Sequence, residues 1–561
     1  MKKTLNFLGL LLILALGLTT LSKADVEQTA PESLEAKVDR LFSDWNRWDS
    51  PGASVAVILD GAVVYKRGYG CAELEYNIPI VSSTIFHVAS VSKQFTAFAV
   101  ALLASQGKLS WDDDIRKYIP EVPDFGKKIT LRHLVHHSSG LRDQWEALAI
   151  AGWRLDDVIT KEHILKMVKH QKELNFNPGE EHLYCNTGFT LLAEVVARVT
   201  GQSFRSWTEA NIFKPLGMSN THFHDDHEMI VPNMAYSYGP KDGGGFKKSV
   251  LSYANVGATS LFTTVEDLTR WIQNFFEARV GGLGVIQQMQ EQGVLNSGKK
   301  IDYAFGLVIG EHRGLKTVGH GGGDAGYRSN VVWFPDQKFG VAVLSNLGPI
   351  DPGGLSMKVA DIYLADKLAP EKPKGPEKKV IEVNPAVLDA YVGKYQLQVG
   401  PVVTVVREDN KLMVEVPGMA KLELLPESET EFLLKAIGAE VIFEKDKSGK
   451  VTRFLLRQGS EETPAKRIEA LILKPEQLKE YLGDYYSEEL GTTYTLVVDQ
   501  GKLIAQHRRN EDSVLSPTVI DEFAGSNWYF GKVQFTRAKN KRISGFRLSG
   551  SRVRNLRFDK K

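Results

Sequence analysis

The sequence predicts an α+β domain followed by two small antiparallel β-barrels. Three observations carry that prediction: mixed helix and strand periodicities over the first block, a charged proline-rich break, and an internal repeat beyond it. In the block from about residue 30 to 368, Leu34 to Trp45 is amphipathic, and Ala53 to Leu59, Asp60-Gly61 and Ala62 to Lys66 read as a hairpin around a tight turn. Strand patterns return at Ser329 to Phe334 and Gly340 to Ser345, with Pro335-Asp336 between them, and Leu355 to Leu364 is again helical. Helices and strands thus share one domain.

The break runs Ala369-Pro370-Glu371-Lys372-Pro373-Lys374-Gly375-Pro376-Glu377-Lys378-Lys379, which can bury nothing and reads as a linker. Beyond it, Tyr391-Val392-Gly393-Lys394-Tyr395 is echoed by Tyr481-Leu482-Gly483-Asp484-Tyr485, Pro426 and Phe432 by Pro517 and Phe523, and Phe443 by Phe535. The offset of about 90 residues suits a closed barrel better than a solenoid unit, with one fused all-β domain as the alternative. The expected organisation is a leader over residues 1–24, an α+β domain over 30–368, a linker over 369–380 and barrels over 381–468 and 469–561.

Composition narrows the function. With 561 residues, 43% apolar and 24% charged, the chain is globular and too long for one core. Lys+Arg 69 against Asp+Glu 68, with no extended basic block, argues against nucleic acid as a partner. Met1-Lys2-Lys3, the apolar run from Leu5 to Leu18 and Ser22-Lys23-Ala24 form an export signal, so the mature protein is expected to begin near Asp25, in the periplasm or outside the cell. An uncleaved anchor is the alternative; no later segment approaches the roughly 18 apolar residues of a membrane span. Cys71 and Cys185 are too few for a disulfide framework.

The chemistry is carried by three short elements. Ser90-Val91-Ser92-Lys93 heads the apolar run Phe95 to Leu103; on a helix the spacing of three puts the Lys93 amine within reach of the Ser90 hydroxyl, and the helix dipole favours the developing alkoxide. A second match, Ser297 to Lys300, sits in a loop-like context. Tyr184-Cys185-Asn186 follows Asn177-Pro178-Gly179; residues two apart face the same way, so Tyr184 and Asn186 can both point at Ser90 while Cys185 faces the core. His320-Gly321-Gly322-Gly323 reads as a strand with room for an acyl group against its backbone, where one N–H with that of Ser90 would make an oxyanion hole.

In that order the three elements resemble the serine β-lactamase and penicillin-binding superfamily, in its class C β-lactamase-like branch with D-alanyl-D-alanine carboxypeptidases, D-aminopeptidases and esterases. Ile129-Thr130-Leu131-Arg132-His133-Leu134, Ser139-Gly140-Leu141, Pro215-Leu216-Gly217-Met218 and Gly326-Tyr327 extend the resemblance over the whole first block. It implies a β-lactamase/transpeptidase-like domain, an antiparallel sheet flanked by helices beside a helical subdomain, with Ser90 in the cleft. It implies that Ser90 is the nucleophile, that Lys93 and Tyr184 share the acid/base work, that Asn186, His320, Gly322 and Gly323 line the substrate site, and that Gly323 gives the second oxyanion donor. No cofactor or metal enters this chemistry. The order of domains is similar to that of D-aminopeptidase, with two lipocalin-like barrels behind a serine enzyme, and the barrels are expected to bear on the cleft. The expected function is hydrolysis of small amides, D-amino-acid peptides or esters through an acyl-Ser90 intermediate. A β-lactamase or carboxypeptidase, and an acylated but non-hydrolytic binding or sensor protein, are the alternatives.

Two departures and three rivals bear on this reading. Cys185 replaces the more usual serine, and Ala258-Thr259-Ser260 lacks the usual glycines of the cleft wall. His222-Phe223-His224-Asp225-Asp226-His227 matches the letters of a zinc motif but is expected to be a solvated loop. His136 and His137 are expected to be structural, and Asp112-Asp113-Asp114 a loop or helix cap. His320 stands where a permanent cation is common, so substrates needing a carboxylate anchor are expected to bind poorly.

Overall fold

The computed structural model describes residues 32–370, 380–397, 402–416, 421–458, 461–468, 471 and 473–561. The expected leader and most of the expected linker lie outside the described residues. The first block opens with α1 (Leu34–Leu41), capped by the Ser33 hydroxyl, and continues into β1 (Ala53–Leu59) and β2 (Ala62–Tyr69). Helix α2 (Ser92–Ser105) follows, then α3 (Asn186–Thr200), α4 (Val265–Glu277), and strands β3 (Val308–His312), β4 (Leu315–Asp324), β5 (Tyr327–Phe334) and β6 (Phe339–Ser345) before α5 (Pro352–Tyr363).

These strands form one antiparallel sheet in the order β3-β4-β5-β6-β1-β2, so the amino-terminal hairpin closes beside the last strand of the domain. Strand alternation divides the apolar residues between two cores. Ala56, Ile58, Val331, Trp333, Ala342 and Leu344 face the helical subdomain, whereas Val55, Val57, Val332, Phe334, Val341 and Val343 face α1 and α5. A sheet covered on both sides explains why β6 is buried at every position.

Helix α2 is apolar on all sides because it is buried on all sides: Ser92 through Leu103 are all buried. Among its polar side chains, Gln94 leaves Nε2 without a partner, but its oxygen and the Thr96 hydroxyl are bonded. Gln94 accepts from Trp271 Nε1 at 2.6 Å, and Thr96 donates to the Gly257 carbonyl at 2.8 Å.

Beyond the break stand two closed eight-stranded barrels, from Gly393–Leu397 to Glu461–Ile468 and from Gly483–Ser487 to Leu556–Lys560. The repeated residues build the same joint in each. Tyr395 donates to the Tyr391 carbonyl and Tyr485 to the Tyr481 carbonyl, both at 2.8 Å, with Phe443 and Phe535 packed on the paired rings. The barrels differ in where their interiors lead. The first has its own apolar cluster, whereas that of the second is continuous with the core of the helical subdomain.

Candidate active site

The nucleophile candidate sits on a tight turn. Ser90 lies in a 3₁₀ turn, Ala89–Val91, that runs into α2, and Ala89 adopts a left-handed φ of 47°. A non-glycine residue there stores strain that the surroundings must hold. They do so through Val88, whose N–H donates to the Leu261 carbonyl at 3.0 Å and whose own carbonyl accepts from Ser329 Oγ at 2.8 Å.

Lys93, the second residue of α2, is wholly buried, and its Nζ lies 3.0 Å from Ser90 Oγ, 2.8 Å from Asn186 Oδ1 and 2.7 Å from the Ala258 carbonyl oxygen. Burial pushes its pKa down to about 7, with the Arg552 cation acting in the same direction and Asp143 against it. A neutral amine can donate to the two oxygen acceptors and turn its lone pair to the hydroxyl. Tyr184 lines the cleft beside Ser90, which favours the ionised phenol, but the larger effect of burial holds it protonated. Lys93 Nζ stands 4.9 Å from the centre of the Tyr184 ring. Asn186, the first residue of α3, is fixed by Asp143, whose Oδ2 accepts from its backbone N–H at 2.7 Å and from Nδ2 at 2.8 Å. The amide oxygen is thereby aimed at Lys93.

Strand β4 supplies the opposite wall. A Cβ added to Gly322 would collide with the Val88 carbonyl, lie 2.5 Å from Ser329 Oγ and 3.0 Å from Ser90 N, so the strand can approach the nucleophile's turn only without a side chain. At Gly321 and Gly323, on the other face, the nearest atoms would be 3.6 Å and 3.5 Å away, ordinary contact. His320 is buried; its Nε2 lies 3.0 Å from Tyr303 Oη and its Nδ1 is bonded to the Gly321 carbonyl. Burial and the Lys93 cation lower its pKa to about 4, so it is neutral at pH 7.

All seven residues expected from the sequence, Ser90, Lys93, Tyr184, Asn186, His320, Gly322 and Gly323, are therefore brought together at one cleft of about 470 Å³. Cys185 faces away from it, with Sγ 3.4 Å from the Leu141 carbonyl, and the wall at Ala258 works through its backbone carbonyl. His137 supports the site from behind: its Nδ1 accepts from Cys185 N at 3.0 Å and its ring packs on Tyr184. Asp114 caps the turn Ile115–Lys117. One expectation fails in part. His222 and Phe223 form a short strand paired with Leu261–Phe262, and the His222 and His224 rings pack on Phe262, leaving only the end of the motif exposed, at Asp226 and His227. The solvated loop is missing because the apolar Phe223 between two imidazoles draws the segment into the core.

Sequence reasoning missed Asp143, Asp324, Trp528 and Arg552. Asp324 ends β4, accepts from Thr259 at 3.1 Å, and is pushed up to about 6 by burial. Trp528 and Arg552 reach the cleft from the second barrel. Arg552 lies on the connection between strands Ile543–Ser549 and Leu556–Lys560, with its guanidinium 5.0 Å from the centre of the Tyr184 ring. No local pattern marked it, because its neighbours in sequence look like any barrel turn.

The sequence profile of the Beta-lactamase family matches residues 38–363, and that of a domain of unknown function (DUF3471) matches residues 377–470. The first match covers more than half of the chain. The chain belongs to the beta-lactamase family. It is a serine hydrolase of that fold. A penicillin-binding protein of Bacillus subtilis is 29% identical over 420 residues, 72% of this chain and 92% of that one. The D-aminopeptidase of Gluconobacter oxydans is 28% identical over 314 residues, 56% of this chain and 58% of its own length. Among solved structures, the octameric penicillin-binding protein homologue from Pyrococcus abyssi superposes with a TM-score of 0.56 at 24% identity, covering 77% of this chain and 99% of that one. At that identity the likeness shows the fold alone.

Proposed function

We propose that this enzyme hydrolyses small amides, short peptides including those built from D-amino acids, or esters through an acyl intermediate on Ser90. The observation that carries this reading is the buried Lys93 amine, 3.0 Å from Ser90 Oγ and shifted to about 7, facing a glycine strand that only a missing side chain allows so close. Lys93 takes the hydroxyl proton as Ser90 Oγ attacks the substrate carbonyl carbon. The negative oxygen is received by the N–H groups of Ser90 and Gly323. As the carbon–nitrogen or carbon–oxygen bond breaks, the Tyr184 phenol passes a proton to the leaving group and is reprotonated through Lys93. Water then attacks the acyl ester by the same route in reverse, returning the acid and free Ser90. Asn186 and His320 hold the substrate's polar groups.

The relatives' names support the amide and peptide part: D-aminopeptidases in several bacteria match the catalytic block, and one fold neighbour is a D-amino acid amidase. The test is a panel of D-aminoacyl amides, short acyl esters and penicillins on the purified enzyme, with Ser90→Ala as control. Covalent labelling that persists in Ser90→Ala, or follows Ser297, would remove the assignment. A stoichiometric label on Ser90 that does not decay would favour the non-hydrolytic sensor instead.

Export is also part of this proposal. It rests on the basic, apolar and small-residue pattern of residues 1–24, and among the described residues no helix is long and apolar enough to cross a membrane. Amino-terminal sequencing of the mature protein from a periplasmic fraction tests it.

A further inference from the structure

Arg552 is a permanent cation in the cleft wall that the acyl transfer above leaves without a task. Its backbone is held with unusual completeness. The Glu146 carboxylate, itself buried, accepts the N–H of Ser551 at 2.8 Å and that of Arg552. The Arg552 carbonyl accepts from Asn175 Nδ2 at 2.8 Å and from Asp143 N at 3.3 Å, and Asn175 Oδ1 accepts from Arg554 N at 2.9 Å. Gly550, just before, could not carry a side chain, because a Cβ there would collide with Glu146. Asp143 ties this loop to the core of the site, since the same residue fixes Asn186.

The neighbouring arginines of this interface are all paired. Arg142, buried, meets Glu489; Arg547 meets Glu173; Arg554 meets Glu181. Among the described residues, the Arg552 guanidinium has no carboxylate partner and rests over the Tyr184 ring, in the same cleft as Ser90. An arginine held by its backbone, aimed into a cleft and left unpaired is arranged for a carboxylate that arrives with the substrate, which its planar fork can take in two hydrogen bonds. The charge that a neutral His320 cannot give is thus available from another domain, so the argument that carboxylate-anchored substrates bind poorly, drawn from His320 alone, does not extend to the cleft.

We propose that Arg552 of the second barrel is a specificity-determining residue that binds a free carboxylate on the leaving side of the scissile bond, so that the preferred substrates are peptides ending in an unblocked amino acid. This rests on acylation of Ser90 as proposed above, and the test separates the two. Full-length enzyme is labelled at Ser90 with a neutral acylating probe in the presence of N-acetyl-D-alanyl-D-alanine or its carboxyl-terminal amide, and release of the terminal amine is followed in parallel. Protection from labelling reads the anchor whether or not turnover occurs, and amine release reads the hydrolase. Wild type should be protected roughly ten- to hundredfold better by the acid than by the amide. That preference should disappear in Arg552→Met, which keeps the stem over Tyr184, and return in part in Arg552→Lys. Equal protection by acid and amide in wild type, or a preference that survives Arg552→Met, would overturn the inference. So would Arg552 variants that move the pH midpoint of labelling while leaving the acid-to-amide ratio unchanged, since Arg552 would then act only on Lys93. Strong protection by the acid without any amine release would instead count against the hydrolase while leaving the anchor standing.

Discussion

Replacing Gly322 by alanine tests how closely strand β4 must approach the nucleophile. The added methyl would collide with the Val88 carbonyl, lie 2.5 Å from Ser329 Oγ and 3.0 Å from Ser90 N. Ordinary carbon–oxygen contacts are about 3.3–3.6 Å, so the strand must withdraw by roughly 1 Å. The Val88 carbonyl and Ser329 cannot yield freely, because they are bonded to each other at 2.8 Å and brace the strained turn at Ala89. A displacement of about 1 Å between a nucleophile and its oxyanion donors costs roughly a hundredfold in rate, or about 2.7 kcal/mol of transition-state stabilisation. The assay is the second-order rate of Ser90 acylation by a neutral ester, with circular dichroism to confirm folding. Gly323→Ala is the contrast, because its Cβ would find only the Arg328 side chain at 3.5 Å and its N–H is retained. It should lose less than about tenfold. Equal losses in both variants would show that open space for substrate, and not the approach of the strand to Ser90, is what the glycines provide.

Further outcomes follow from the buried ionisable groups. Acylation should rise with pH through a midpoint near 7, because Lys93 accepts the proton only when neutral and burial lowers its pKa to about 7; Lys93→Arg, charged at all accessible pH, should lose about two or more decades across the whole range. Tyr184→Phe should lose acylation or turnover by a similar factor with the midpoint retained, since the phenol stays protonated in the free enzyme. Glu146, raised to about 7 by burial, binds a proton in the folded state that the unfolded chain releases near about 4.3. The fold therefore loses stability as pH rises between those values, and Glu146→Gln should flatten the change in Tm between pH 5 and pH 8. A steeper change in that variant would reverse the sign of this argument. Chelators should leave hydrolysis unchanged; loss with EDTA and recovery with zinc would bring the half-buried His222 and the buried His224 back as candidates.

Much of the fold class was legible because it is written in local periods. The apolar run of β1 ending at the Asp60-Gly61 turn, the apolar run Phe95 to Leu103 of α2 and the recurrence of Tyr391-Val392-Gly393-Lys394-Tyr395 some 90 residues later each report burial or pairing within a short window. The same holds for Ser90 with Lys93 and for Tyr184 with Asn186, where a spacing of three or two fixes relative direction once the element type is known. Sequence also foretold that Cys185 would face the core, by the same alternation.

Tertiary structure alone decided which barrel meets the catalytic block and what it brings. The two barrels carry the same repeated residues, yet among the described residues only the second is continuous with the core around the cleft. Arg552 stands far along the chain from Asp143, Glu146 and Asn175, and no periodicity relates residues whose contact depends on how one closed barrel seats on a helical subdomain. The charge state of the site was equally hidden. A lysine reads as a cation and a histidine as a near-neutral switch, but burial moves Lys93 to about 7 and His320 to about 4, and the permanent positive charge enters from Arg552. Spacing along the chain sets which side chains can share a face, while desolvation and the field of distant residues, which set their protonation, exist only once the domains are packed.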